Sequence, residues 1–208
     1  MLSGMPESHA VAGFLPSIHG LHFANDWPPG PTLRLGPLDP RRIGIGDASA
    51  GLCGGMCYFA RRRFESGQSV PALTIPPANG SELFRSIVRE QVRSLRMGIV
   101  PMRFWRMSAM SAGERAARAR DREWPRIRAS LDSGRLTTIG LVRKTGRNPL
   151  KLVGNHQVLA YGYELDGPSV RIRIYDPNHP NRDDVTVPIT PSGDQSTGEI
   201  LLGVIALD

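Results

Sequence analysis

Residues 156–177 read HQVLAYGYELDGPSVRIRIYDP and carry the clearest structural pattern in the chain. Two runs rich in β-branched and aromatic residues flank Asp166-Gly167, a dipeptide typical of tight hairpin turns. In the second run, Arg171 and Arg173 alternate with branched aliphatic residues, so one face of that strand meets water. The segment therefore predicts an antiparallel β-hairpin.

The rest of the chain divides into a helical half and a strand-rich half. Further β-rich runs cover residues 137–143, 184–189 and 199–207. In the first half, apolar residues recur at helical spacing. The predicted helices cover residues 54–65, 81–98 and 112–131, the last with a bend at Pro125. Helices followed by an antiparallel sheet predict an α+β fold.

Length and composition favour one folded unit. The chain has 208 residues, of which 40% are hydrophobic. A domain of this size buries about 70% of its chain surface. Residues 1–45 are rich in proline and glycine and show neither period, so we expect them to wrap the core as an extended loop. We therefore predict a single domain over residues 1–208, with this N-terminal segment and a core over residues 46–208.

The sequence contains no segment with the pattern of a membrane span or a secretion signal. Its longest apolar run, Ile200–Leu207, is broken by Gly203 and falls short of the roughly 18 residues that a spanning helix needs. The residues after Met1 lack a basic region followed by an apolar stretch. We expect a soluble protein that is cytoplasmic or is exported without a cleavable signal peptide.

An arginine-rich segment, residues 81–128, carries the excess of positive charge. It holds 12 arginines against 5 acidic residues, which accounts for the formal net charge of +7. Such a segment can attract an acidic partner protein. We do not expect it to bind nucleic acid, because few aromatic residues interleave with its arginines and arginine dominates the basic residues of the whole chain.

Cys53 lies in the stretch AGLCGGM, residues 50–56, directly before a predicted helix. The amide N–H groups and the dipole of a helix N-terminus stabilise a thiolate. The neighbouring glycines allow close approach of a substrate and leave backbone N–H groups for a developing oxyanion. We predict that Cys53 is a nucleophile and that Gly54 and Gly55 contact the substrate or the oxyanion.

Cys57 is the alternative nucleophile. It lies four residues further on, one turn into the predicted helix, where it would face the core beside Met56 and Ala60. We therefore favour Cys53. A purely structural role as a small buried side chain is the other interpretation of Cys53.

A thiol needs a base, and His156 begins the first strand of the predicted hairpin. Asp176 follows the second strand 20 residues later, so antiparallel pairing brings the two side chains together. The carboxylate would orient the imidazole and favour its charged form. The structural alternatives are a hydrogen-bonded core histidine and an aspartate that forms a turn before Pro177.

The order of these motifs resembles the papain-like cysteine peptidase superfamily, and especially the peptidase domains that trim bacteriocin leader peptides. In that group a Cys-Gly opens the first core helix, a histidine begins a strand, and an Asp-Pro closes the partner strand. Cys53-Gly54, His156-Gln-Val-Leu and Asp176-Pro177 match this order. The resemblance covers roughly residues 47–207 and implies a papain-like fold.

The sequence departs from that family at the oxyanion hole. Papain-like enzymes place a glutamine six residues before the nucleophile, whereas this chain has Asp47, which cannot donate a hydrogen bond when ionised. Either the backbone N–H groups of Cys53 and Gly54 suffice for the oxyanion, or a second donor comes from elsewhere. Asn155 and Asn178, next to His156 and in the turn after Asp176, are the other predicted substrate-side residues.

Together these residues predict a cysteine hydrolase that cleaves an amide or peptide bond in a peptide or protein substrate. The same triad would give deamidation or transamidation, and a non-catalytic papain-like binding protein is the competing class. We expect no cofactor and no metal. His19 and His22 have the spacing of helical metal ligands, but Gly20 and the nearby prolines oppose a rigid helix there.

Overall fold

The computed structural model describes residues 7–27, 51–146, 154–190 and 194–208. Its α-helices are α1 (Pro16–His19), α2 (Cys53–Glu65), α3 (Glu82–Ser94), α4 (Ile99–Ser108), α5 (Ala112–Arg118) and α6 (Trp124–Asp132). Its strands are β1 (Glu7–Ala10), β2 (Thr137–Val142), β3 (His156–Asp166), β4 (Ser169–Tyr175), β5 (Thr186–Pro188) and β6 (Gly203–Ala206). The fold is therefore α+β, as the sequence predicts.

The strands of the described residues form one antiparallel sheet in the order β5-β4-β3-β2-β6. The central strand β3 has 11 residues and uses both edges. Its first half pairs with β2, from His156 opposite Leu141 to Ala160 opposite Thr137. Its second half pairs with β1 on that same edge, while β4 pairs along the other edge. His156 thus begins the strand with the most neighbours.

The hairpin of residues 156–177 is confirmed. Asp166 pairs with Ser169 at its closed end, and Gly167 adopts a positive φ of 56°, which glycine tolerates without strain. In β4, Arg171 is exposed while Ile172 and Ile174 are buried. Residues 156 and 176 lie at the open end of the hairpin, at the opposite end of β3 and β4 from the turn.

Helix α2 lies between the sheet and α3. Cys57 and Ala60 on one side of α2 belong to the core with the buried residues of β2, β3 and β4. Met56, on another side, packs with Ile87 of α3 and with residues of the N-terminal segment. Helix α3 begins where the sequence predicts, because the Ser81 hydroxyl accepts a hydrogen bond from the Phe84 amide.

The arginine-rich segment is more broken than the sequence predicts. The predicted helix 112–131 consists of α5, a π-helical stretch over Ala119–Glu123, and α6 with Pro125 in its first turn. The predicted helix 81–98 ends at Ser94 and continues as a 3-10 turn. Helix α4 was not predicted, and it packs Phe104 against Gly140 of the sheet.

The expectation that residues 1–45 lack regular structure is wrong for two short elements, strand β1 and helix α1. Strand β1 has the polar sequence ESHA and no buried face, so it lacks the alternation by which strands are recognised. Its backbone nevertheless pairs with the free edge of β3. Residues 28–45 lie outside the described residues. No helix in the described part of the chain is long and apolar enough to cross a membrane.

Candidate active site

Cys53 is the first residue of α2, where backbone N–H groups have no acceptor inside the helix. Its side chain is partly exposed. The chain enters the helix through Gly51, which adopts a φ of +85°, and Leu52, whose amide is held by the Asn25 side chain at 2.7 Å. The sulfur also lies 3.4 Å from the backbone nitrogen of Gln157, which donates to it. Helix α2 and strand β3 together therefore fix the position of the sulfur.

His156 faces both Cys53 and Asp176. Its Nε2 lies 2.6 Å from Oδ1 of Asp176, and both side chains are buried. The ring also interacts with the Cys53 sulfur, since it lowers the pKa of the thiol and the sulfur raises the pKa of the ring. Because Nε2 is used by the carboxylate, Nδ1 is the ring nitrogen left for that contact. The fold thus brings a sulfur, an imidazole and a carboxylate together, with the imidazole hydrogen-bonded to the carboxylate.

Asp176 is held from several sides. Its Oδ1 accepts a second hydrogen bond from the Asn178 amide at 2.8 Å. Its Oδ2 accepts from Nε2 of Gln195 at 2.6 Å, and the guanidinium of Arg143 lies 3.9 Å away. Arg143 in turn donates to Oε1 of Gln195 at 2.9 Å, which fixes the orientation of that amide. The carboxylate therefore has one position from which to orient the imidazole.

The electrostatics of Cys53, His156 and Asp176 favour an ion pair. Burial opposes ionisation of Cys53, but the charge of His156 and the hydrogen bonds to the sulfur lower the pKa of the thiol. Burial alone would lower the pKa of His156, whereas Asp176 and the Cys53 thiolate raise it to about 9. The pKa of Asp176 is lowered, because the attraction of His156 and three hydrogen bonds outweigh its burial. A thiolate beside an imidazolium is the nucleophilic form of such a pair.

Cys57 lies deeper in the molecule. It is fully buried, and its Sγ is 3.5 Å from the Gln157 carbonyl oxygen. Burial, together with the charges of Cys53 and Asp176, raises the pKa of this thiol well above its usual range. Cys57 is therefore a neutral core residue, which leaves Cys53 as the candidate nucleophile.

The glycines after Cys53 serve packing. A Cβ at residue 54 would lie 2.4 Å from Oγ of Ser94, and one at residue 55 would lie 2.4 Å from the Ile87 carbonyl oxygen. The Gly55 amide donates to Oε1 of Gln91 at 2.6 Å, so this amide is not free for an oxyanion, and a substrate contact of Gly55 stays a prediction. The Gly54 amide faces the Cys53 sulfur. Helix α3 lies so close to the start of α2 that a side chain at either glycine would clash with it.

The remaining predicted residues have different surroundings. Asn178 lies in the turn after Asp176, and its Oδ1 accepts from Nδ2 of Asn25 at 3.2 Å. Asn155 accepts from the Arg143 amide at 3.1 Å, an arrangement that joins β2 to the start of β3. Asp47 lies outside the described residues.

Two residues near the site were missed by the sequence analysis, namely Asn25 and Gln195. Asn25 lies between the two halves of the site, because it contacts Leu52 on one side and the Asp176–Asn178 turn on the other. Its backbone amide also donates to the Pro177 carbonyl at 2.9 Å. Neither residue belongs to a local motif, so only the folded chain reveals them.

Within the described ranges, no group of three His, Cys, Asp or Glu side chains is arranged to hold a metal ion. Comparisons of the chain with protein-family models, with curated proteins and with solved structures found no match. The geometry of Cys53, His156 and Asp176 is therefore the main indication of function in this chain.

Proposed function

We propose that this protein is a cysteine hydrolase with a papain-like arrangement of its site, and that it cleaves an amide or peptide bond in a peptide or protein substrate. The single observation that supports this is the grouping of Cys53, at the N-terminus of a helix, with His156, which lowers the pKa of the thiol and is hydrogen-bonded to Asp176. The partial exposure of Cys53 gives a substrate carbonyl access to the sulfur. The buried Asp176 keeps the imidazole oriented during the reaction.

In this proposal the Cys53 thiolate attacks the carbonyl carbon and forms a C–S bond, while the carbonyl electrons move to oxygen. The His156 imidazolium then protonates the amide nitrogen as the C–N bond breaks, which releases an amine and leaves a thioester. His156, now neutral, takes a proton from water as the water attacks the thioester. The C–S bond breaks, the carboxylic acid departs, and the thiolate–imidazolium pair is restored.

Deamidation and transamidation use the same steps on a glutamine or asparagine side chain. In deamidation the leaving amine is ammonia, and in transamidation an amine replaces water in the second half. A mixture of peptides analysed by mass spectrometry distinguishes the three reactions. Hydrolysis of the backbone splits the peptide, deamidation adds about 1 Da, and transamidation adds the mass of the amine less that of the ammonia released. The triad chemistry is common to all of them.

The direct test is incubation of the full chain with a degenerate peptide mixture, followed by mass spectrometry of the products. We expect new products from the wild-type chain and from Cys57→Ala, and none from Cys53→Ala. The Cys57 variant is the matched control because it removes the other thiol of the chain. Absence of products from the wild-type chain, or equal products from Cys53→Ala, would overturn the proposal.

A second and separate role, binding of an acidic partner, is favoured by a cleft between α2 and α3. The cleft has a volume of about 360 Å³. Four arginines line it, Arg62, Arg63, Arg89 and Arg93. The one carboxylate in its lining, Glu90, is buried and already accepts from Arg62 and Arg93. The remaining positive charge suits a partner that offers carboxylates.

Fluorescence anisotropy with a labelled oligoglutamate peptide tests this second role. We expect Arg89→Gln to weaken binding at low salt, because Arg89 lines the cleft and its side chain contacts only Ser86 among the described hydrogen bonds. Arg85→Gln, on the same helix but outside the cleft, is the control and should bind like the wild-type chain. Equal affinity of both variants would exclude the cleft as the binding site.

A further inference from the structure

A thiol that attacks a carbonyl needs hydrogen-bond donors for the oxygen, which becomes negative in the tetrahedral intermediate. The Cys53 amide belongs to the first turn of α2, where N–H groups have no acceptor within the helix. The Gly55 amide is already used by Gln91. The Gly54 amide faces the sulfur itself. Among the first amides of α2, this leaves the Cys53 N–H as the free donor, and side-chain amides near the loop that precedes Cys53 are the next candidates.

Asn25 is the side-chain amide held against that loop. Its Oδ1 accepts from the Leu52 amide at 2.7 Å and from Nε1 of Trp27 at 3.1 Å. Both of those groups can only donate, so the carbonyl end of the Asn25 amide is fixed toward them. The NH₂ end then points away from Trp27. The orientation of the side chain is thus set by its neighbours.

The NH₂ end has one hydrogen more than the contact with Asn178 requires. Nδ2 donates to Oδ1 of Asn178 at 3.2 Å, and a primary amide carries two N–H groups. Gly51 leaves the space for it, because a Cβ at this residue would lie 2.6 Å from Nδ2. Asn25 is also partly exposed, as a group that meets substrate must be.

We propose that the second N–H of Asn25 Nδ2, together with the Cys53 amide, binds the oxyanion of the tetrahedral intermediate. This inference rests on the proposed hydrolase function and assigns the donor that an ionised carboxylate at residue 47 does not supply. Asn25 lies 28 residues before the nucleophile and reaches the site through the N-terminal segment. That segment would then contribute a catalytic residue.

The test compares acyl transfer with a reaction that has no oxyanion. Asn25→Asp keeps an oxygen for Leu52 and Trp27 but removes both N–H donors. With p-nitrophenyl acetate, we expect the burst of Cys53 acylation to slow by about 10²–10³-fold. Alkylation of Cys53 by iodoacetamide develops no charge on a carbonyl oxygen, so its rate should change by less than about threefold. The rate is taken from the high-pH plateau of a pH profile, where a change in the pKa of the thiol has no effect.

A thiono ester, in which sulfur replaces the carbonyl oxygen, separates oxyanion binding by Asn25 from a purely structural role of Asn25. Sulfur is a weak hydrogen-bond acceptor, so the loss on Asn25→Asp should be much smaller for the thiono analogue than for the oxygen ester. Asn181→Asp, the same substitution at an exposed residue that contacts His22, is the matched control and should keep the wild-type acylation rate.

Two results would overturn the inference while the proposed function stands. One is a burst in Asn25→Asp within about threefold of wild type, and the other is an equal loss with both esters. A wild-type chain with no Cys53-dependent acylation would instead mean that the proposed function itself fails. The two failures are therefore distinguishable.

Discussion

Gln195 binds the oxygen of Asp176 that His156 does not use, with Nε2 only 2.6 Å from Oδ2. Both side chains are buried. Because the other end of the same amide accepts from Arg143, the contact joins the loop before β6 to the end of β2 as well as to the carboxylate. A residue from the C-terminal part of the chain thus supplies the close hydrogen bond to the second oxygen of Asp176.

Replacement of Gln195 by leucine should destabilise the protein. The change leaves Oδ2 of Asp176 buried without its close donor, which costs about 1–3 kcal/mol. Urea unfolding at pH 7 measures the loss. Gln68→Leu, at an exposed residue, is the control and should change the free energy of unfolding by less than about 0.5 kcal/mol. Equal stability of both variants would show that Asp176 does not depend on Gln195.

Replacement of His156 by glutamine should remove the reactive thiolate at neutral pH. In the wild-type chain, His156 lowers the pKa of Cys53, so alkylation by iodoacetamide at neutral pH should be faster than that of an ordinary thiol. Without the imidazolium, burial raises the pKa of this thiol, so the rate at neutral pH should fall and should recover only as the pH is raised. Parallel pH profiles in the two proteins would contradict the ion pair.

For the proposed hydrolase, the pKa of His156 predicts an upper pH limit of turnover. In the proposed mechanism the leaving amine takes its proton from the imidazolium, whose pKa is about 9. The rate of amide hydrolysis should therefore be high below pH 8 and fall as the pH rises through about 9. Cleavage of an activated ester, whose leaving group needs no proton, should not fall there. A loss common to both substrates would indicate unfolding rather than titration of His156.

Substitution of Gly54 by alanine should destabilise the protein because the added Cβ meets Ser94 and Gln157 at 2.4 and 2.7 Å. Overpacking of this kind costs typically about 1–3 kcal/mol. Gly113→Ala in α5 is the matched control, since nothing lies within 4 Å of its Cβ, and alanine there should be neutral or slightly stabilising. Thermal unfolding of the two variants measures the difference. A Gly54→Ala protein as stable as wild type would mean that α3 moves away without cost.

Glu123 anchors the arginine-rich segment to the sheet. Its buried carboxylate accepts from Arg118 at 2.9 Å, from Arg103 at 3.1 Å and from the Ala206 amide of β6 at 3.1 Å. Glu123→Gln should lower stability by about 1.5–3 kcal/mol, because the neutral amide loses the charge-assisted hydrogen bonds to two partly exposed arginines. Asp121→Asn, an exposed ion-pair residue two positions earlier, should have little effect in the same unfolding experiment. Similar losses from both variants would contradict the anchoring role.

Local patterns were sufficient for the parts of the fold that have a buried face. The hairpin at Asp166-Gly167 and the N-cap at Ser81 follow from turn and capping chemistry, and both are found. Strand β1 could not be found in this way, since its polar side chains carry no signal and its pairing depends on a free edge of β3 more than 140 residues away. Helix α4 was not predicted, and it is separated from α3 by Arg96, Met97 and Gly98, which all adopt positive φ.

The three central residues of the candidate site could also be predicted from local patterns, whereas the residues that surround them could not. Cys53 and His156 begin α2 and β3, and Asp176 directly follows β4. The pairing of β3 with β4 brings His156 and Asp176 together, and the contact of α2 with β3 adds Cys53. That the Gly55 amide is used by α3 could not be predicted, because a glycine permits close approach of any neighbour. Asn25 was missed because its position depends on how the N-terminal segment crosses the molecule.

The pairing of β3 on both edges has a consequence for the dynamics of the two halves of the site. Amide protons in the middle of this strand should exchange with deuterated solvent only on global unfolding, since hydrogen-bonded strands flank it on either side. The nucleophile, in contrast, begins a helix whose first amides have no partners within the helix and should exchange by local fraying. The middle of β3, a few residues after His156, therefore belongs to the slowest-exchanging part of the chain, whereas local opening beside Cys53 would come from the helix side.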